Sequence, residues 1–313
     1  MILAVLGALA GVLPAGAPPT GPLAERALLG AFVHEPGAVE ADPRDVAALE
    51  AAVGRRLDVV HDFLAWDRPL SSVADKAPDR FLLVSWKPTA AAVRDLAAGR
   101  EVAYVDQVLA DIAGREAPVA LRFGYEMNGS WSEYSAAAPG GPSAAEFRAA
   151  WRELARRTDA ADVDAPLVWC PNERDWPAAP GNRLEDYWPG ADVVDVLGVD
   201  AYDWGTQLPR RGDGRRRSFE QVMTEPYRRL EQLPGAGHLP VWLCETGTTE
   251  VPADPRAKGR WFEEMYASTA FPRLRAVIHF SEDDQRDVQR DWRLTSSEHS
   301  LAGLRRALEG TAP

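Results

Sequence analysis

Two glutamates stand where carboxyl chemistry is expected. Glu126 sits in Leu121-Arg122-Phe123-Gly124-Tyr125-Glu126-Met127-Asn128-Gly129-Ser130-Trp131, and Glu245 in Val241-Trp242-Leu243-Cys244-Glu245-Thr246-Gly247. Each follows an apolar run and is followed within three residues by a polar residue and a glycine, Asn128-Gly129 after Glu126 and Thr246-Gly247 after Glu245. Two carboxyl groups, one protonated and one ionised, can cleave an acetal linkage: the first protonates the leaving oxygen, and the second attacks the carbon. A double displacement of that kind needs the pair about 5–5.5 Å apart. Arg122, four positions before Glu126, would point the same way along a strand and could keep a neighbouring carboxylate charged. The structural alternative for both glutamates is a buried arginine salt bridge, an environment acids seldom occupy without such partners.

Other residues near these runs suit a polyhydroxylated ligand. Trp131 and Tyr202 offer aromatic faces on which the C–H faces of a sugar can pack, or else fill the core. Trp292 is open to the same two readings. Asn172 and Asp200 are candidates for hydroxyl binding or for supporting the site, with turn and helix-cap roles as the alternative. Asn128 either supports Glu126 or caps the next element.

Strands must position these side chains. Apolar runs at Ala27–His34, Leu57–Trp66, Arg80–Trp86, Pro118–Tyr125, Pro166–Cys170, Val193–Tyr202, Leu239–Glu245 and Ala276–Phe280 are continuous rather than alternating in polarity. Strands covered on both faces have that pattern. Helical stretches such as Tyr104–Ile112, Ala144–Arg157 and Lys258–Ala267 lie between them; Trp261, Phe262 and Met265 recur at helical spacing in the last. Eight strands with crossovers over 313 residues predict an α/β fold, a single (β/α)8 barrel. A doubly wound sheet would carry a glycine-rich phosphate loop after its first strand, where Gly30-Ala31-Phe32-Val33-His34 stands instead. In a barrel, polar residues at the carboxyl ends of strands are read as catalytic. The fourth and seventh lie across the mouth, where two carboxyl groups can face each other. The long interruptions Ser130–Pro142, Arg174–Pro189 and Asp203–Ser218 follow strands and would build that face.

The order of the motifs then resembles glycoside hydrolase family 26, the family of β-mannanases, mixed-linkage β-glucanases and β-1,3-xylanases. Its Arg-x-x-His-Glu-Met-Asn-Gly is similar to Arg122-Phe123-Gly124-Tyr125-Glu126-Met127-Asn128-Gly129, and its Glu-Thr-Gly to Glu245-Thr246-Gly247. Trp169-Cys170-Pro171-Asn172, Tyr187-Trp188-Pro189-Gly190, Asp195 to Tyr202 and Asp291-Trp292-Arg293 resemble further motifs in the same order. The resemblance runs from about the third strand onward. It implies a retaining endo-β-glycanase with Glu126 as general acid/base and Glu245 as nucleophile. Tyr202 would steady Glu245; Trp131, Tyr202, Asn172, Asp200, Trp292 and Tyr125 would line the substrate, with Arg122 and Asn128 supporting. The substrate implied is a β-mannan or a mixed-linkage β-glucan, with endo-β-1,4-mannanase as one specific activity. Tyr125 departs from the family, which places histidine before its acid/base glutamate; a phenol differs in reach and acidity. A barrel that binds carbohydrate while cutting it weakly, or one that acts on a bacterial exopolysaccharide, is the alternative.

Composition narrows the partners. The net charge is -12, which repels phosphate backbones and disfavours nucleic acid, whereas neutral polymers meet no such field. The lysines are Lys76, Lys87 and Lys258 alone, so basic charge comes from arginine. Arg210, Arg211, Arg215, Arg216 and Arg217, beside Gly212 and Gly214, read as a solvated loop. So does Glu282-Asp283-Asp284 with Asp287, whose spacing is not that of a calcium loop. His34, His61, His238, His279 and His299 are too scattered for a zinc site, and no cofactor is expected. Cys170 and Cys244 are expected as buried free thiols. Residues 1–20, apolar and ending near Ala15-Gly16-Ala17, read as a signal-like leader before a catalytic domain at 21–313, which predicts a secreted monomer without a further membrane span. No lysine or arginine precedes the apolar run, and Pro18 follows the presumptive cut.

Overall fold

In the computed structural model, residues 21–34, 43–74, 77–100, 102–205, 216–284 and 290–309 are described. The expected leader, with Arg210, Arg211, Arg215 and Asp287, lies outside them.

The strands are β1 (Leu28–His34), β2 (Val59–Ala65), β3 (Phe81–Lys87), β4 (Val119–Phe123), β5 (Val168–Trp169), β6 (Val196–Asp203), β7 (Val241–Thr248) and β8 (Leu274–Asp284), with a short β9 (Arg290–Asp291) paired to β8. Their hydrogen-bonded order is β4-β3-β2-β1-β8-β7-β6-β5, and a parallel bridge from Leu121 to Leu167 joins the two end strands. Neighbours in sequence are neighbours in the sheet, and the pairings of β1 with β2 and β8, β3 with β4 and β5 with β6 are parallel. This is the connectivity of the (β/α)8 barrel that the eight apolar runs predicted.

The chain divides into two compact units. One comprises His61–Asp200 and Arg228–Val241. Its buried aromatics include Trp86, Phe123, Phe147, Trp151 and Trp169. Trp66 stacks on Trp86 at 5.0 Å between ring centroids, and Phe147 meets Tyr187 edge-on at 5.5 Å. Helix α1 (Ala144–Ala160) starts on a capping box, in which the Ser143 hydroxyl accepts from Glu146 N and the Glu146 carboxylate accepts from Ser143 N. It buries Phe147, Trp151 and Leu154, an i, i+4, i+7 stripe.

The second unit comprises the described residues up to 60, Ala201–Tyr227 and those from 242 on. Its helix α2 (Ala257–Ala267) buries Trp261, Phe262 and Met265, as their spacing predicted. Phe219 lies edge-on to Trp261 at 5.9 Å and to Phe271 at 5.6 Å. Residue-by-residue parallel pairing, from Leu28 with Ala276 to His34 with Glu282, ties β1 to β8.

Two sequence expectations are corrected here. Glu282, Asp283 and Asp284 are not a solvated loop but the end of β8, which runs on because Asp283 and Asp284 pair with Asp291 and Arg290 of β9. Two of these side chains have partners: Glu282 lies 3.1 Å from His34 Nδ1, and Asp283 lies 3.7 Å from the Arg293 guanidinium. Arg216 and Arg217 are not solvent-facing loop residues either. Arg216 donates to the carbonyls of Thr249 and Ala257, and Arg217 to that of Tyr202 at 2.6 Å. Long guanidinium arms satisfy carbonyls that segments beyond strand ends leave unpaired.

Candidate active site

Glu126 belongs to a turn, not to the strand that delivers it. Strand β4 ends at Phe123, Gly124 takes φ 58° and Glu126 takes φ 51°. Left-handed backbone is easy for glycine and strained for glutamate. A side chain at Gly124 would also strike Phe147, whose Cε2 lies 2.6 Å from an ideal Cβ. The turn is held from both sides: Glu126 N donates to Cys170 O at 2.8 Å, and the Tyr134 hydroxyl donates to Tyr125 O at 2.7 Å. Strained backbone at a polar side chain is a feature that clusters at functional sites.

The carboxylate of Glu126 takes two N–H donors. The Trp131 indole donates to Oε2 at 2.8 Å, and the Asn172 amide donates to Oε1 at 2.5 Å. Asn172 is held by Asn128, whose Oδ1 accepts from Asn172 N at 2.8 Å and whose Nδ2 donates to Asn172 O at 3.1 Å. Asn128 therefore caps no helix; it clamps the backbone of the segment after β5. Trp131 is 47% exposed and Trp176 is 59% exposed, and Ser130 N donates to Trp176 O at 2.8 Å.

Arg122 does not share a strand face with Glu126, because the alternation stops at Gly124. It pairs instead with Asp200, and both side chains are fully buried. The Arg122 guanidinium also donates to Ser85 Oγ at 2.9 Å and lies 4.5 Å above the Tyr125 ring, a cation–π contact. Tyr125 thus packs beneath a buried cation, 5.5 Å from the Phe63 ring. Of the roles open to Asp200 from sequence, the buried pairing with Arg122 assigns its carboxylate to support. Cys170 Sγ lies 3.4 Å from its other oxygen. His61 contacts Ser85 Oγ at 2.6 Å; burial, and then Arg122, push its pKa well below the ordinary histidine value, so it is neutral.

In the second unit Glu245 is buried on β7, and the Tyr202 hydroxyl donates to its Oε2 at 2.9 Å. Tyr202 lies 5.0 Å from the Trp292 ring and 5.6 Å from Trp204. Gly247 is needed for this packing, since a Cβ there would lie 2.9 Å from Trp292 Cε3. Trp292, 3% exposed, is wedged against Tyr202, Trp204 and Gly247. Strand β7 is locked to β6 by side chains too: Thr246 donates to Ala201 O at 2.8 Å, and Thr248 donates to the buried Asp203 carboxylate at 2.8 Å.

Several residues escaped the sequence reading. Lys258 is fully buried on α2, and its ammonium donates to Asp291 O, Arg293 O and Ser296 Oγ at 3.0, 2.8 and 2.9 Å. It thereby holds both carbonyls flanking Trp292. Burial brings its pKa down to about 8. Its rarity as one of three lysines was the only available signal. Asp203 and Trp204 follow Tyr202 directly, and Asp175 stands three positions after Asn172; nothing in their spacing marked them.

Cys170 and Cys244 are buried free thiols. Among the described residues no group of three His, Cys, Asp or Glu could hold a metal ion, and no helix is long and apolar enough to cross a membrane.

With this geometry in view, the likenesses to known proteins are specific. Residues 86–212 match the family model of Glycosyl hydrolase family 26. Endoglucanase H of Acetivibrio thermocellus is 26% identical over 274 residues, which is 84% of this chain and 29% of that protein. A β-1,3-xylanase of Alcaligenes is 26% identical over 117 residues, 35% of this chain and 22% of that one. The chain thus spans less than a third of the length of these relatives. Among solved structures, an endo-β-1,4-mannanase of Cellulomonas fimi superposes with a TM-score of 0.64 at 18% identity, covering 99% of this chain and 74% of that one. The Bacillus subtilis mannanase BCman gives 0.59 at 14% identity over 91% and 87%. Identities this low carry the fold alone. The matched stretch holds Glu126 and its partners Trp131 and Asn172, and the ordered motifs that resemble glycosyl hydrolase family 26 continue through Glu245 to Trp292.

Proposed function

We propose that this chain is a β-glycan hydrolase that works by double displacement with retention. Glu126 protonates the glycosidic oxygen while a Glu245 oxygen attacks the anomeric carbon, which breaks the bond to the leaving sugar and leaves a glycosyl ester on Glu245. Glu126, now ionised, takes a proton from water, and that water's oxygen replaces Glu245 at the same carbon. The observation that carries the reading is the hold on Glu126: a strained φ of 51° with the Trp131 indole and the Asn172 amide on its two oxygens. Both donors favour the ionised carboxylate that the second step needs. The Tyr202 hydroxyl supports the role of Glu245 by fixing one of its oxygens.

The relatives act on β-glycans by their names: an endoglucanase, a β-1,3-xylanase and endo-β-1,4-mannanases. The substrate proposed here is a β-mannan or mixed-linkage β-glucan cut internally, and such polymers call for a secreted enzyme. Reducing-end release from β-mannan, mixed-linkage β-glucan, xylan and bacterial exopolysaccharides, with wild type beside Glu126→Ala and Glu245→Ala, tests this. Cleavage of one polymer, lost in both variants and yielding the β-anomer first by proton NMR, is the expected result. Release of the α-anomer first would overturn retention.

A second reading is a barrel that binds glycans without cutting them. It draws on the exposed rings of Trp131 and Trp176, which can take sugar faces whatever the chemistry. Binding of an oligosaccharide with no hydrolysis by folded protein would favour it over the first.

A further inference from the structure

Behind Glu126 runs a chain of hydrogen bonds whose donors and acceptors leave little freedom. Asp175 Oδ1 accepts from Asn128 Nδ2 and from Leu184 N, both at 2.9 Å. A carboxylate only accepts, so the amide nitrogen of Asn128 must face it. Asn128 Oδ1 is then committed to Asn172 N, and Asn128 Nδ2 also reaches Asn172 O, so both backbone groups of Asn172 are fixed. The Asn172 side chain is oriented in turn, because its Oδ1 accepts from Arg174 N at 3.0 Å, which leaves its Nδ2 for Glu126.

The far end of this chain is a charge. Arg229, on the helix Phe219–Glu231, donates through Nη2 to Asp175 Oδ2 at 2.8 Å. The same guanidinium makes two bonds to Glu185, at 2.9 and 2.7 Å. Side-chain exposures of 13% for Arg229 and 11% for Asp175 keep this pair largely out of water, where charge-assisted bonds are firmest. Neither residue touches Glu126.

We propose that Asp175 and Arg229 are positioning residues that set the Asn172 amide on the Glu126 carboxyl. The proposal rests on Glu126 being the acid/base. Its role is to hold Glu126 at the angle from which it protonates the departing oxygen, so it matters most when that oxygen is a poor leaving group. A leaving group that departs as a stable anion needs no proton.

The test compares kcat/KM on 2,4-dinitrophenyl and phenyl β-glycosides of mannobiose and cellobiose for wild type, Glu126→Ala, Asp175→Ala and Arg229→Met. Asp175→Ala is expected to lower kcat/KM about 10- to 100-fold on the phenyl glycoside and less than about 3-fold on the dinitrophenyl glycoside, the scale of one charge-assisted bond expressed in the transition state. Arg229→Met should give the same split, smaller. Equal loss on both glycosides, or no loss on either, would overturn the positioning role. Glu126→Ala separates the two ideas. If it shows no split, the acid/base reading fails; if it shows one and Asp175→Ala does not, only the positioning role fails. Should Asp175→Ala fail to fold, Asp175→Asn and Arg229→Met carry the same comparison.

Discussion

The Tyr202 hydroxyl donates to Oε2 of Glu245 at 2.9 Å, and the ring that carries it is pinned between Trp204 and Trp292. The phenol therefore cannot follow the carboxylate if it swings. It fixes where one oxygen of Glu245 stays, which leaves the other for the attack proposed above.

Removing that hydroxyl while keeping the ring isolates its contribution. Tyr202→Phe is expected to lower kcat about 10- to 100-fold with little change in thermal midpoint, since one hydrogen bond to a charged group is worth about 1.5–3 kcal/mol. Steady-state kinetics beside thermal unfolding checks it; a fall in stability with intact kcat would show a packing role only.

Trp131 combines an exposed face with an N–H on Glu126, and two substitutions pull these apart. Trp131→Phe keeps most of the ring and loses the donor, so it should lower kcat and shift the pH profile with KM nearly unchanged. Trp131→Ala removes both and should raise KM as well, by about 10-fold for a lost stacking contact of about 1–1.5 kcal/mol. Identical kinetics for the two variants would show that the ring face carries nothing.

The buried Arg122–Asp200 pair predicts a stability effect. Asp200→Ala leaves an uncompensated guanidinium in the interior, at a cost of about 3–5 kcal/mol. Urea unfolding would report it. A double replacement, Arg122→Met with Asp200→Leu, should recover much of the loss, because an apolar pair leaves no stranded charge.

Lys258 gives a pH dependence with a definite sign. Its ammonium faces the Asp291 and Glu250 carboxylates and the Arg293 and Arg216 guanidiniums, and burial outweighs the carboxylates, so the folded chain releases the proton near pH 8. The unfolded chain holds it to about 10.5, so the unfolded state binds more protons between those values and stability rises with pH there. The rise amounts to about 3 kcal/mol at most. Urea unfolding at pH 7.5 and 10 should show it in wild type and not in Lys258→Met. The same variant should raise KM, because the carbonyls flanking Trp292 lose their clamp.

The eight apolar runs, the glutamates and the order of the motifs were legible in the sequence, because strand burial and helical spacing are local patterns and motif order is linear. Boundaries moved where pairing overrode local signals: β8 extends through three acidic residues because β1 and β9 supply partners for its backbone. Charge was the least legible property. Arg216 and Arg217 read as solvated, and Arg122 as a neighbour of Glu126, yet all three are committed to other partners. Sequence lists donors and acceptors but not their distances, and a hydrogen bond exists or not within a few tenths of an ångström. The assignment of Asp200 to Arg122, of Lys258 to the Trp292 segment and of Asp175 to Asn128 therefore came only with the tertiary structure, which joins residues that lie tens of positions apart along the chain.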